Sequence, residues 1–135
     1  MPSTLVDAGP LIALFEPSDD WHVVAKAFVR GNTSQLITNY PVLAEVAHVL
    51  RPRNLRELLA WVNDALSIDV QTTDDLGRII EILGKYEDLP ADFADASLLA
   101  LSERLGVDRI ATFDSDFDIY RTKSRKRLVN VFATK

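Results

Sequence analysis

Short apolar runs alternate along the chain with longer stretches of helical spacing. Thr4 to Asp7 is a brief apolar run closed by Ala8-Gly9-Pro10, the pattern of a buried strand turning into a helix over Leu11 to Phe15. Asp19 and Asp20 sit where an N-cap and first turn prefer acids, ahead of a helical stretch from Trp21 to Arg30 that Gly31-Asn32 stops. Gln35 to Thr38 predicts a second strand. Pro41 is placed to open a helix that runs to Leu50 and ends before Pro52. Asn54 is the expected cap of the next helix, which extends to about Leu66. Ser67 to Thr72 alternates as a third strand, and Thr73 or Asp74 caps a helix reaching about Tyr86. Ala91 to Leu105 is the most regular helix and stops at Gly106. Arg109 to Phe113 and Leu128 to Phe132 predict a fourth and a fifth strand.

Strand and helix in alternation predict an α/β protein with a central, mostly parallel sheet of four to five strands. The 135 residues suit a single domain over 1–135, with no repeat, no low-complexity stretch and no linker. Hydrophobic residues at 47% and charged residues at 26% are the mix of a soluble globular protein. The absence of cysteine removes disulfide scaffolds, thiolate zinc sites and cysteine nucleophiles. The amino terminus carries no basic n-region followed by an apolar stretch, and no apolar run approaches the ~18 residues of a membrane span. The expectation is a cytoplasmic protein without a membrane partner.

The formal net charge of −5 argues mildly against a nucleic-acid partner, because phosphates are neutralised by Lys and Arg. The charges are unevenly spread. Residues 1–120 hold nine basic and twenty acidic side chains, a balance of −11. Residues 121–135 hold Arg121, Lys123, Arg125, Lys126, Arg127 and Lys135 with no acid, a balance of +6. An acidic body thus carries a basic end.

Most of the acids lie at helix starts, helix ends or polar faces, where solvated carboxylates are ordinary. A few do not. Asp7 closes Leu5-Val6-Asp7, and Asp114 follows Ile110-Ala111-Thr112-Phe113. In an open parallel sheet, ligands bind beyond the carboxyl ends of strands near a switch in strand order. Either Asp alone fits a helix cap; together they place two carboxylates on one sheet edge. Glu45 is the only charged residue between Pro41 and Leu50, sharing a face with Val42 and Val49. A carboxylate there is costly to desolvate unless it pairs or binds a cation. A salt bridge, to Arg51 or another arginine, and a metal role fit equally. Asp95 shares a face with Asp92, Leu98 and Leu99. Asp92, near the helix start, suits the dipole, which leaves Asp95 as the stronger candidate.

Four carboxylates gathered without a cation raise each other's pKa. Oxygen ligands without cysteine select a hard ion such as Mg²⁺ or Mn²⁺, which completes its shell with water and substrate phosphate. Such ions activate water for in-line displacement at phosphorus. The residues alone therefore point to a metal-dependent phosphodiesterase or phosphatase. Of the two histidines, His22 begins a helix and reads as exposed, while His48, one turn beyond Glu45, reads as a packing or surface residue. Trp21 and Trp61 fall in helical stretches and read as core. No phosphate-binding glycine loop, serine elbow or dinucleotide fingerprint is present.

Four segments in order resemble the motifs of PIN domains. Leu5-Val6-Asp7-Ala8-Gly9-Pro10-Leu11 resembles the first motif, and Thr38-Asn39-Tyr40-Pro41-Val42-Leu43-Ala44-Glu45-Val46 the second. Ala94-Asp95-Ala96-Ser97-Leu98-Leu99-Ala100-Leu101 and Thr112-Phe113-Asp114-Ser115-Asp116-Phe117 resemble the third and fourth. Order, spacing and length are similar to the compact bacterial branch, the VapC-like toxins. The resemblance implies a three-layer α/β/α PIN fold and an endoribonuclease dependent on Mg²⁺ or Mn²⁺. It implies catalytic residues Asp7, Glu45, Asp95 and Asp114, with Asp7, Asp95, Asp114 and Asp116 as the metal set. Thr38, Thr112 and Asp92 would orient carboxylates or water. It further implies a homodimer held inactive by a small antitoxin protein.

On this reading Arg121, Lys123, Arg125, Lys126 and Arg127 hold flanking RNA phosphates, joined by Arg51, Arg53 and Arg56 if they lie near the groove. A solvated tail is the competing account of that run. Few aromatic residues flank these positions, so no base-stacking platform is expected. Two alternatives remain: a PIN-like binding module without catalysis, and another metal-dependent phosphohydrolase. The latter is disfavoured in its aspartyl-phosphate form, because Asp7 is followed by Ala8-Gly9 rather than by x-Asp.

Overall fold

Five short strands, β1 (Ser3–Val6), β2 (Gln35–Asn39), β3 (Ser67–Asp69), β4 (Arg109–Ala111) and β5 (Val129–Asn130), pair in parallel in the order β3-β2-β1-β4-β5. They are joined by α1 (Ala8–Phe15), α2 (His22–Gly31), α3 (Tyr40–Val49), α4 (Pro52–Ala65), α5 (Leu76–Lys85) and α6 (Phe93–Leu105). This computed structural model describes residues 2–132, so Lys135 of the basic end lies outside the described residues. The crossovers from β1 to β2 and from β2 to β3 move one way along the sheet, and the crossover to β4 moves the other way. Right-handed connection puts the two sets of helices on opposite faces, which is the expected three-layer α/β/α architecture. It also makes the carboxyl ends of neighbouring β1 and β4 the switch point of the sheet.

The element types follow the apolar pattern, and the boundaries differ for local reasons. α1 starts at Ala8 rather than Leu11, because the Asp7 carboxylate accepts the Ala8 N–H at 2.8 Å and caps the helix. Pro10 is tolerated in the first turn, where its missing N–H is not needed. α4 starts at Pro52, so Asn54 lies inside the helix and is not its cap. α6 starts at Phe93 with Asp92 as the capping residue, and Gly106 closes it at φ 69°, a left-handed conformation that favours glycine. A short 3-10 helix, Thr72–Asp75, precedes α5 in place of a direct cap. β3 ends at Asp69 because its ladder with β2 ends at the Asn39–Asp69 pair; Val70 beyond it is exposed.

The core gathers Leu5, Leu11, Val42, Leu98, Leu99 and Ile110, all fully buried. α6 is buried over nine consecutive residues, Ala94 to Ser102, which makes it the central helix rather than a surface one. Asp95 falls inside that buried run.

Candidate metal centre

The acids converge at the switch point. Asp7 directly follows β1, the loop Thr112–Asp116 follows β4, Asp95 stands in the first turn of α6, and Glu45 rides on α3. Asp7, Ala8, Gly9, Ile12, Glu45, Asp95, Phe113 and Asp114 line one open cleft of about 290 Å³. One carboxylate oxygen each from Asp95, Asp114 and Asp116 lie within 4.8 Å of one another. Asp7 is not in that triplet, but it walls the same cleft.

Each acid is fixed by a local hydrogen bond. Asp7 is buried; its Oδ1 accepts the Ala8 N–H and its Oδ2 accepts the Thr112 hydroxyl at 2.7 Å. The same Thr112 oxygen accepts the Asp114 N–H at 3.0 Å, and Asp114 Oδ1 accepts the Asp116 N–H at 2.9 Å. Thr112 therefore ties Asp7 to the loop that carries the other two carboxylates. Asn130, on β5, clips that loop by donating to the Thr112 carbonyl at 3.0 Å. Asp95 is buried, and its Oδ2 accepts the Tyr120 hydroxyl at 2.8 Å. Tyr120 is itself buried, edge-on to Tyr86 and Phe117 with ring centroids 5.0 Å apart in both pairs.

Electrostatically the group is strained. Burial pushes the Asp95 carboxyl up to about 8, with Asp7 and Asp92 adding to the rise. Asp7 is raised chiefly by burial, against the pull of its bonds to Thr112 and Ala8. Glu45, exposed on α3, is raised by partial desolvation and then by Asp92, Asp7 and Asp114. Tyr120 is raised by burial and by its bond to Asp95. Among the described residues, the ion pairs join Arg53 to Glu57, Arg78 to Glu81 and Glu103, and Arg104 to Asp69 and Asp75. None reaches the cleft, and the salt bridge from Glu45 to Arg51 is not formed. Carboxylate oxygens gathered without an internal cation are compatible with a divalent-metal site.

The other sequence candidates fall as follows. Thr38 orients no carboxylate: its hydroxyl donates to the Val6 carbonyl at 3.1 Å, binding β2 to β1. Asp92 is exposed and accepts the Asp95 N–H at 2.8 Å, so its side chain caps α6. His22 is half-buried, with Nδ1 2.7 Å from the Ala13 carbonyl, and His48 is exposed. The basic run lies along the far half of α6. Lys123 N donates to Glu103, two helical turns or about 12 Å beyond Asp95. Lys123, Lys126 and Arg127 line a separate groove of about 860 Å³ with Gly106 and Asp108. Arg121 follows Tyr120 in the chain, and its Nη1 donates to the carbonyls of Asp118, Ile119 and Tyr120. Arg51, Arg53 and Arg56 are exposed.

Tyr120 was missed, as was Asn39. Asn39 accepts the Val42 N–H to cap α3 and donates to Ser97 of α6 at 3.0 Å, joining the helices that carry Glu45 and Asp95.

Comparison with family profiles matches residues 4–123 to the PIN domain. The chain belongs to the PIN domain family. Comparison with curated protein sequences gives no significant match. Among solved structures, this PIN domain is similar to VapC20 of Mycobacterium tuberculosis, described as a sarcin-ricin loop cleaving toxin. The TM-score is 0.75 at 23% identity, covering 86% of this chain and 93% of that one. The five-stranded parallel sheet with its six α-helices is thus the PIN fold. Among the described residues, no helix of this PIN domain is long and apolar enough to cross a membrane.

Proposed function

We propose that this PIN domain is a divalent-metal-dependent endoribonuclease, acting as the toxin of a toxin–antitoxin pair. The observation that carries the reading is the convergence of Asp95, Asp114 and Asp116, beside buried Asp7, with no cationic partner in the cleft among the described residues. The family match and the fold likeness to VapC20 support the choice of RNA and the toxin role. The intact set of acids does not favour a module that only binds.

Asp95, Asp114 and Asp116 are the residues that would hold the ion, with Asp7 at the wall of the same cleft. When bound, Mg²⁺ or Mn²⁺ supplies a polarised water and offsets charge at the phosphate. Asp7 is held at a fixed angle by Thr112 and Ala8, and Asp95 by Tyr120. Glu45, exposed on the α3 wall, takes the proton of the attacking water. Lys123, Arg125, Lys126 and Arg127, which are exposed, neutralise phosphates further along the strand. The working form is a cytoplasmic homodimer restrained by a small antitoxin, as the family resemblance implies.

RNA cleavage by chelator-treated protein tests the reading. Activity is expected only after Mg²⁺ or Mn²⁺ is added back, and both Asp7→Asn and Asp95→Asn should abolish it. Cleavage without metal, or unchanged cleavage in both variants, refutes it.

A further inference from the structure

A stacked aromatic pair adjoins the acid cleft. Of six Phe, three Tyr and two Trp, the exposed ones are Trp21, Tyr40 and Phe93, at 50%, 58% and 47%. All three stand at the carboxyl edge of the sheet. Tyr40 opens α3 directly after β2, and Phe93 opens α6 two residues before Asp95. Trp21 stacks on Phe113, with ring centroids 4.7 Å apart and planes 21° from parallel. Phe113 lines the acid cleft beside Asp7 and Asp114.

The stack is anchored from behind. Phe113 packs on Phe132 at 4.6 Å, and Phe132 packs on Phe28 at 5.1 Å. Phe113 also lies so close over Gly9 that a Cβ there would meet its ring at 3.4 Å. The Trp21 backbone is fixed too: its N–H donates to the Asp19 carboxylate at 2.8 Å, and its carbonyl accepts the Ala25 N–H at 2.9 Å. A preformed, half-exposed indole over a ring that walls the cleft is the geometry of a stacking surface.

We propose that Trp21, backed by Phe113, stacks an unpaired nucleobase adjoining the phosphate at the acid cleft. The proposal rests on the ribonuclease reading and deepens it: the substrate segment is single-stranded or a loop. A base within a duplex has its faces covered, whereas a splayed base offers one. The loop before α2 carries Glu16, Asp19 and Asp20, which repel phosphate, so this surface takes the base and not the backbone. From the sequence no stacking platform is expected beside the basic run; the surface proposed here lies elsewhere, at the acid cleft. Trp21 read as core because it adjoins a helix, yet half its surface is exposed.

The test uses a Trp61→Phe, Asp95→Asn parent, in which Trp21 is the sole indole and cutting is blocked. A short single-stranded oligoribonucleotide should quench Trp21 emission, and the same sequence in duplex should not. Adding Trp21→Ala should weaken binding on the order of 5- to 100-fold, and Trp21→Phe should restore most of it. Equal affinity after Trp21→Ala, or RNA binding without quenching, overturns the platform. So does a shift from dimer to monomer in Trp21→Ala with unchanged RNA affinity, which would make this surface a contact with a second copy. Cleavage is assayed in parallel with Asp95 intact. Quenching without metal-dependent cleavage overturns the nuclease reading and upholds the platform; cleavage that ignores Trp21→Ala does the reverse.

Discussion

Asp69 and Asp75 share one guanidinium, whereas among the described residues Asp95, Asp114 and Asp116 share none. Arg104 donates to Asp75 at 2.9 and 3.0 Å and to Asp69 at 2.6 and 3.2 Å, and Arg78 holds Glu103 the same way at 2.7 and 2.9 Å. At the switch point the carboxylates are held, among the described residues, by hydroxyls and backbone N–H groups, those of Thr112, Tyr120, Ala8 and Asp116 included. Both groups contain buried carboxyls, Asp75 in one and Asp7 and Asp95 in the other. The first is neutralised by the chain itself and is structural. The second is organised but left negative, which is the condition of a site completed from outside.

Exchanging one acid from each group separates these roles most sharply. Asp95→Asn should reduce metal-dependent RNA cleavage by at least ~100-fold, beyond the 10–100-fold typical of groups that only orient a ligand. It should leave the metal-free protein as stable as the parent or more so, because it removes a buried carboxylate that neighbouring acids repel. Asp75→Asn should do the opposite. It should cost about 2 kcal/mol in urea unfolding, since the Arg104 guanidinium loses a charged partner, and should leave cleavage intact. If both variants lost stability and neither lost cleavage, the two groups would be alike.

A smaller effect is expected from the hydroxyls that stand in for cations. Tyr120→Phe and Thr112→Val preserve size while removing the donors to Asp95 and Asp7. Each should weaken Mn²⁺ binding by about 10-fold or somewhat more, with little change in thermal unfolding of the metal-free protein. Tyr120→Phe should add nothing once Asp95 is Asn, because the two act through one oxygen.

The basic run should matter least. Replacing Arg125, Lys126 and Arg127 with Ala should lower RNA affinity only modestly. It should flatten the plot of log affinity against log salt by about 2, at ~0.7 per lost phosphate contact on a single strand. An unchanged slope would make that run a solvated segment.

Much of this site was legible before the structure because its acids break local patterns. Asp7 ends an apolar strand, and Asp95 interrupts a helix that is otherwise buried. Such breaks are local, so one sequence displays them. Asp114 was legible in place but not in detail: β4 stops at Ala111, and Thr112 turns the chain so that the carboxylate caps a short 3-10 helix, Ser115–Asp118. Tyr120 was not legible, because it reaches Asp95 across 25 residues by way of tertiary packing. Thr38 misled for the complementary reason: its place at a strand end matched a site role, and the neighbouring strand took its hydroxyl. Trp21 was hidden by a default, since an aromatic beside a helix is more often core than rim. Charge counted along the chain located the basic run without showing that Lys123 is held against the far end of α6, two turns from Asp95.

The central claim is that the chain leaves the Asp95, Asp114 and Asp116 cluster for a divalent ion to complete. Calorimetric titration of Mn²⁺ into chelator-stripped protein tests it without reference to any substrate. Saturable binding is expected in the parent and in Asp75→Asn, and its loss in Asp95→Asn. Absence of binding in the parent, or binding of equal strength in Asp95→Asn, would contradict the account.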